Sequence, residues 1–160
     1  MTRLRTACVV GLLLGSVACT GAQDVRRCDD AARLLTTALR MEVIVDTQTV
    51  DDWRTRQKLR GCRITAAAIT PLLPAQAAAR FYERVRDAGW RRTPDPQDAP
   101  RESSLRFRKG TTDCLFNVYA GASLLTDAET EVSERVTPAR GESRYNAFVM
   151  CMPALDAAQR

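Results

Sequence analysis

Cys28, Cys62, Cys114 and Cys151, widely spaced along the chain, limit its possible folds more than any other feature. They contain no CxxC pair, and the chain has no histidine, so the spacing matches no zinc signature. Cysteines so far apart act either as buried thiols or as disulfides, and the first residues choose between the two. Arg3 and Arg5 make a positive start, and Ala7 to Val17 is an apolar run without charge. That run is too short to span a bilayer, which takes ~20 residues, and it has the pattern of an export signal over residues 1–18. The rest of the chain is therefore expected to fold in an oxidising compartment, with two disulfides.

The end of the signal narrows this further. Ser16-Val17-Ala18-Cys19 resembles the lipobox of bacterial lipoproteins, where small residues precede a cysteine that becomes acylated. Ser16 stands where that family usually has Leu or another aliphatic residue, and Ser-Val-Ala also fits the small-x-small site of an ordinary signal peptidase. The resemblance implies a membrane anchor through a lipid on Cys19, a tether over 19–23 and a cell-envelope location; plain cleavage implies a secreted or periplasmic protein. Of the six cysteines, Cys8 leaves with the signal, and lipidation of Cys19 leaves an even four.

The remaining chain reads as one domain over 24–153 with a tail over 154–160. Its centre runs from Pro74 to Tyr119. Ala77, Ala78, Phe81, Tyr82, Val85 and Ala88 recur at helical spacing, with Arg80, Glu83, Arg84, Arg86 and Asp87 between them. Gly89 suits a left-handed C-cap, and Trp90 would fold back onto Val85. Leu105-Arg106-Phe107-Arg108 alternates at period two, and Cys114 to Tyr119 reads as a buried strand. Upstream, Asp24 suits an N-cap, and Val25, Cys28, Ala32, Leu35 and Leu39 make an apolar helical stripe. Residues 42–50 fit a strand through Val43, Ile44 and Val45, or a continuation of that helix. Trp53 is expected as a core anchor, residues 61–69 as a strand and residues 144–152 as the last strand. The polar stretches 93–103 and 122–143 read as loops, the second with a possible edge strand through Val132 and Val136. The order helix, strand, helix, strand, strand, strand predicts an α+β fold, two helices on one face of a four-stranded, mostly antiparallel sheet.

This layout also predicts the cysteine pairing. Cys114 and Cys151 fall on the apolar faces of consecutive strands, which an antiparallel pair would bring together. Cys28 lies on the inner stripe of the first helix, and Cys62 on the strand face that carries Ile64. The expected disulfides are Cys28–Cys62 and Cys114–Cys151, each worth about 3–4 kcal/mol in the loop-entropy picture.

Chemistry is mostly excluded by absence from the sequence. Without histidine there is no Ser-His-Asp or Cys-His system and no HExxH site, and no GxSxG, Walker A or GxGxxG motif occurs. No metal or cofactor is expected. The adjacent pairs Asp29/Asp30 and Asp51/Asp52 do not share a helical face and read as solvated. Net charge is +5, or +3 once Arg3 and Arg5 leave, and the basic residues are scattered, with lysine only at Lys58 and Lys109. Nucleic acid is disfavoured by compartment and by the few aromatic residues near these charges.

Two surfaces remain as candidates. Arg106 and Arg108, pointing away from Leu105 and Phe107, form with Lys109 an anion-binding patch for lipid headgroups, or else a solvated strand face. Leu115, Tyr119, Phe148, Met150 and Met152 lie on the sheet face that two helices leave bare. They form a partner surface, or else are covered by residues 122–143 or 50–53. The expected function is an envelope-anchored, non-enzymatic binding module with an envelope protein as partner. An accessory role in assembly or inhibition, or a hydrolase using carboxylates, is the alternative.

Overall fold

A computed structural model describes residues 26–52, 55–93, 104–121 and 124–155. The signal, Cys19, the Asp24 cap, Trp53 and most of the loop after Thr93 lie outside the described residues.

Helix α1 (Asp29–Arg33) continues into a π-helical turn over Leu34–Ala38 and stops where Arg40 takes a left-handed φ of 55°. The Met41 amide there closes onto the Leu35 carbonyl at 3.0 Å. The β-branched run at Val43 then settles the open choice in favour of a strand, β1 (Glu42–Asp52), which pairs along its whole length with β2 (Gln57–Thr70). Pro71 and Pro74 turn the chain into α2 (Pro74–Asp87), Pro74 standing at the start where its missing N–H costs nothing. Gly89 ends α2 at φ 84°, and the Trp90 amide bonds the Val85 carbonyl, which gives the expected cap. There follow β3 (Arg91–Arg92), β4 (Ser104–Lys109), β5 (Thr112–Ala120), α3 (Asp127–Glu134) and β6 (Ser143–Pro153).

The sheet has six strands in the order β1-β2-β6-β5-β4-β3, with every neighbouring pair antiparallel. The α+β class stands, and the expected four strands and two helices become six strands and three helices among the described residues. The additions are β1, the short β3, and α3, which forms where the sequence suggests an edge strand through Val132 and Val136. Thr126 is the reason for α3: its hydroxyl accepts from the Glu129 amide at 3.2 Å, which caps the first turn and sends Val132 down onto the sheet.

On the inner face, α1 and α2 cover Ile64 and Ala66 of β2, Ala147 and Val149 of β6, Phe116 and Val118 of β5, and Phe107 of β4. Ala66 and Ala147 are opposite each other, and their small side chains let the helices approach the middle of the sheet. Phe81, Trp90 and Phe107 stand edge-on around Phe116, with ring centroids 5.4–6.1 Å away. Both expected disulfides are present: Cys28–Cys62 joins α1 to β2, and Cys114–Cys151 joins directly opposed residues of β5 and β6. Cys62 is also opposite Cys151, so one row of the sheet carries three half-cystines. Next to that row, a Cβ on Gly61 would lie 2.4 Å from the Cys151 carbonyl oxygen, so the strands meet there only around glycine. Disulfides of this kind belong to an oxidising, extracytoplasmic compartment. Among the described residues, no helix is long and apolar enough to cross a membrane.

Candidate functional site

The outer face of the sheet reads as rows of opposed residues. One row is Tyr119, Asn146, Ala67 and Glu42; the next is Asn117, Phe148, Thr65 and Ile44. Then come Arg106, Leu115, Met150, Arg63 and Asp46, followed by Arg108, Asp113 and Met152. Every residue singled out on this face in the sequence is therefore brought to one surface, although the surface is not uniformly open.

Arg106 and Arg108 lie opposite Phe107, as alternation requires, but they do not point freely into water. Arg106 is 1% exposed, and its Nη1 donates to Met152 Sδ at 3.6 Å. Arg108 holds fully buried Asp113 through two bonds of 2.6 and 2.8 Å. The bidentate fork is the geometry guanidinium and carboxylate favour. Lys109 stands 3.9 Å from Asp30 and 5.9 Å from the centre of the Trp90 ring, tying the β4–β5 turn to α1 and the core. Each cation thus has a partner within the chain, so the expected solvent-facing arrangement is corrected for Arg106 and modified for the other two.

The apolar set divides. Leu115 and Met152 are buried, whereas Phe148, Met150 and Tyr119 are partly exposed. Part of the cover is α3, which lies over β1 and β2 and buries Val132 and Ala67. Covering by residues 122–143 is one of the two outcomes the sequence leaves open. Glu129 fastens this helix. Its carboxylate accepts from Tyr119 Oη at 2.7 Å and from the Leu124 and Leu125 amides at 2.9 and 2.8 Å. Burial, then the hydrogen bond and negative charge of Glu129, push the Tyr119 hydroxyl well above its ordinary range. Across the sheet, burial does the same to Tyr82, which donates to the Phe116 carbonyl at 3.0 Å. Both are structural tyrosines.

Beside α3 the surface opens. A groove of about 570 Å³ runs between the outer face of β1 and the first turn of α3, lined by Ile44, Asp46, Arg63, Leu125, Asp127 and Glu131 among others. Arg63 Nη2 donates to Asp46 at 3.0 Å, and Arg135 pairs with Glu131 and lies 4.0 Å from Glu42. Leu125 stands at the rim, 87% exposed, with a left-handed φ of 55°. A bulky L-residue in that region costs about 1–2 kcal/mol. The bonds from Glu129 to the Leu124 and Leu125 amides hold it there. The loop therefore presents an apolar side chain to solvent against both conformational and hydrophobic preference.

As chemistry the groove is modest. Asp46 is engaged by Arg63 and Glu131 by Arg135. Cys28, Cys62 and Cys151 bring their sulfur atoms within 4.8 Å of one another, but these sulfurs are bonded in disulfides and offer no thiolate to a metal. Comparison with protein-family models, curated proteins and solved structures finds no match.

Sequence reasoning does not single out the groove, although two signals for it are present. Thr126-Asp-Ala-Glu129 has the spacing of a helix-capping box, and Val43-Ile44-Val45 has strong strand preference. Their meeting across the sheet cannot be read from either segment, because it depends on which strand lies beneath α3.

Proposed function

We propose that this chain is an envelope-anchored, non-enzymatic binding module that presents the β1–α3 side of its sheet to a protein partner. The observation that carries the reading is Leu125, an exposed apolar side chain held in an unfavourable backbone conformation at the rim of an open groove. The export signal and the lipobox-like junction support an envelope location, and the two disulfides agree with it. Arg26, the first described residue, follows Cys19 by only seven positions, so a lipid there would keep the domain close to the membrane surface.

The test is site-specific photocrosslinking in intact cells. A photoreactive residue at Leu125 should yield one adduct of defined mass, and the same residue at exposed Glu83 of α2 should not. Cys19→Ser should release the protein from the membrane fraction. Adducts that are absent, or equal at the two positions, would sink the binding reading; an unmodified Cys19 with unchanged partitioning would sink the anchor.

A further inference from the structure

We propose that β1 accepts an extended, cationic segment of the partner as a seventh antiparallel or parallel strand, with the partner's basic side chains lying in the β1–α3 groove. This rests on the binding-module reading above and specifies the chemistry of its partner.

The first ground is topology. β1 ends the sheet, and all eleven of its residues pair with β2 on one side. Its other side faces no strand among the described residues, so its outward backbone N–H and C=O groups form a long template for strand addition. The middle of β1, Thr47-Gln48-Thr49, is exposed. The opposite edge of the sheet differs: β3 has only two residues, both arginine, and so is short and charged as guarded edges are.

The second ground is charge. β1 carries Glu42, Asp46 and Asp51 at exposed or partly exposed positions and no cation, in a chain whose net charge is +5; Asp52, at the end of the strand, is buried, which corrects its reading as solvated. α3 adds Asp127 and Glu131 to the lining of the groove. Lys58 and Arg60 lie on β2, one strand further from an incoming chain, at the ~5 Å strand spacing, whereas the Arg63 guanidinium reaches across to Asp46 in the groove. Arg63 and Arg135 offset part of this by pairing with Asp46 and Glu131, but Glu42, Asp46, Asp127 and Glu131 outnumber them, so a segment docking on β1 meets a net negative field.

This argues against a second copy as occupant. Pairing β1 with the same strand of another molecule would bring two sets of Glu42, Asp46 and Asp51 to one seam, where directly opposed like charges are destabilising. A cationic segment gains from the same field. Alternation then assigns its two faces. Side chains beside Ile44 and Asp46 enter the groove, where lysine or arginine can meet Asp127 and Glu131 and lay its methylenes on Leu125. Side chains on the other face lie beside Val43 and Val45, which pack against the core, and there β-branched residues fit.

The test uses the exported, oxidised protein and synthetic ten-residue peptides. One alternates lysine with valine. A second replaces lysine by glutamate. A third keeps lysine but carries N-methyl groups along one edge. With the first peptide, backbone amides within Glu42–Asp52 should gain hydrogen-exchange protection at alternate positions, and affinity should fall as salt rises. The glutamate and N-methyl peptides should bind at least about tenfold more weakly. Asp127→Lys with Glu131→Lys, both at exposed positions, should weaken binding about tenfold with little change in melting temperature. Equal binding of the N-methyl peptide would rule out strand addition, as would unchanged exchange in β1 or a β1-dependent dimer in sedimentation. If the peptides fail while the Leu125 adduct persists, strand addition alone is refuted. If both fail, the binding reading falls with it.

Discussion

The outer face of the sheet carries the same device twice, once toward each edge. In β4–β5, Arg108 grips directly opposed Asp113 through two bonds of 2.6 and 2.8 Å, and the carboxylate is fully buried. In β2–β1, Arg63 meets directly opposed Asp46 through one bond of 3.0 Å, and both side chains reach water. The residue types and register are shared, so the difference comes from what lies around them. On the β4 side Arg106, Leu115 and Met152 close the face. On the β1 side α3 stops short, and the groove keeps the pair wet. One side of the sheet is finished as interior; the other is left open to solvent.

The disulfides are the strongest test of that asymmetry. Removing either one should cost about 3–4 kcal/mol, since the loops they close are similar in length, with separations of 34 and 37 residues. For a domain of this size that lowers the melting temperature by roughly 10 °C. The two losses should differ in place. Cys28→Ser with Cys62→Ser removes the covalent tie of α1 to β2 and should raise hydrogen exchange in α1. Cys114→Ser with Cys151→Ser leaves the ladder from Thr112 to Ala120 intact and should raise exchange there much less. Identical exchange maps for the two variants would break the comparison.

Next comes Arg108→Ala, which takes the bidentate guanidinium away from the buried Asp113 carboxylate. It should cost about 3 kcal/mol, at the low end for a buried pair because Arg108 is itself 26% exposed. Denaturant melts of Arg108→Ala and Asp113→Asn would measure it, and a loss below that of an exposed pair would mean water reaches this site freely.

Alkali compares the inner face with the outer. All three tyrosines, Tyr82, Tyr119 and Tyr145, are raised by burial. A folded-state pKa above the unfolded ~10 gives stability that is intact below pH ~10 and lost as pH rises through the folded values. Tyrosinate absorbance should therefore stay flat through pH ~10 and appear together with unfolding. Glu129→Gln removes the charge beside Tyr119 and should bring part of that absorbance to lower pH, whereas Tyr82 should not respond.

The smallest effect is expected at the open edge. Asp46→Ala should cost less than about 1 kcal/mol, because a partly exposed pair gains little over water. A loss as large as that of Arg108→Ala would show that the two edges are built alike and that the groove belongs to the core.

Most of the covalent frame and half of the sheet are legible in the amino-acid pattern. Period-two alternation places Cys114 and Phe116 on one face and Leu115 and Tyr119 on the other, and the sheet keeps that division. Helical spacing places Phe81 and Val85 inward, and Gly89 with Trp90 forms the expected cap. Both cysteine pairs follow from those faces. These features are local, or depend only on which side of an element a residue occupies.

Three other features required the assembled sheet. The solvent-facing reading of Arg106 fails because exposure depends on what covers a face, and alternation reports only which face a residue joins. α3 escapes sequence reading because a short polar helix has little apolar stripe of its own; Val132 acquires its meaning from the strands beneath it. The long edge at β1 is hidden because edge and centre are set by strand order, and neither is encoded in the pattern of a single strand. From its sequence alone this protein determined the faces of its elements and the pairing of its cysteines, through periodicities that local geometry imposes. Only the tertiary structure decided which face is closed and which edge is open, because burial arises between segments distant along the chain.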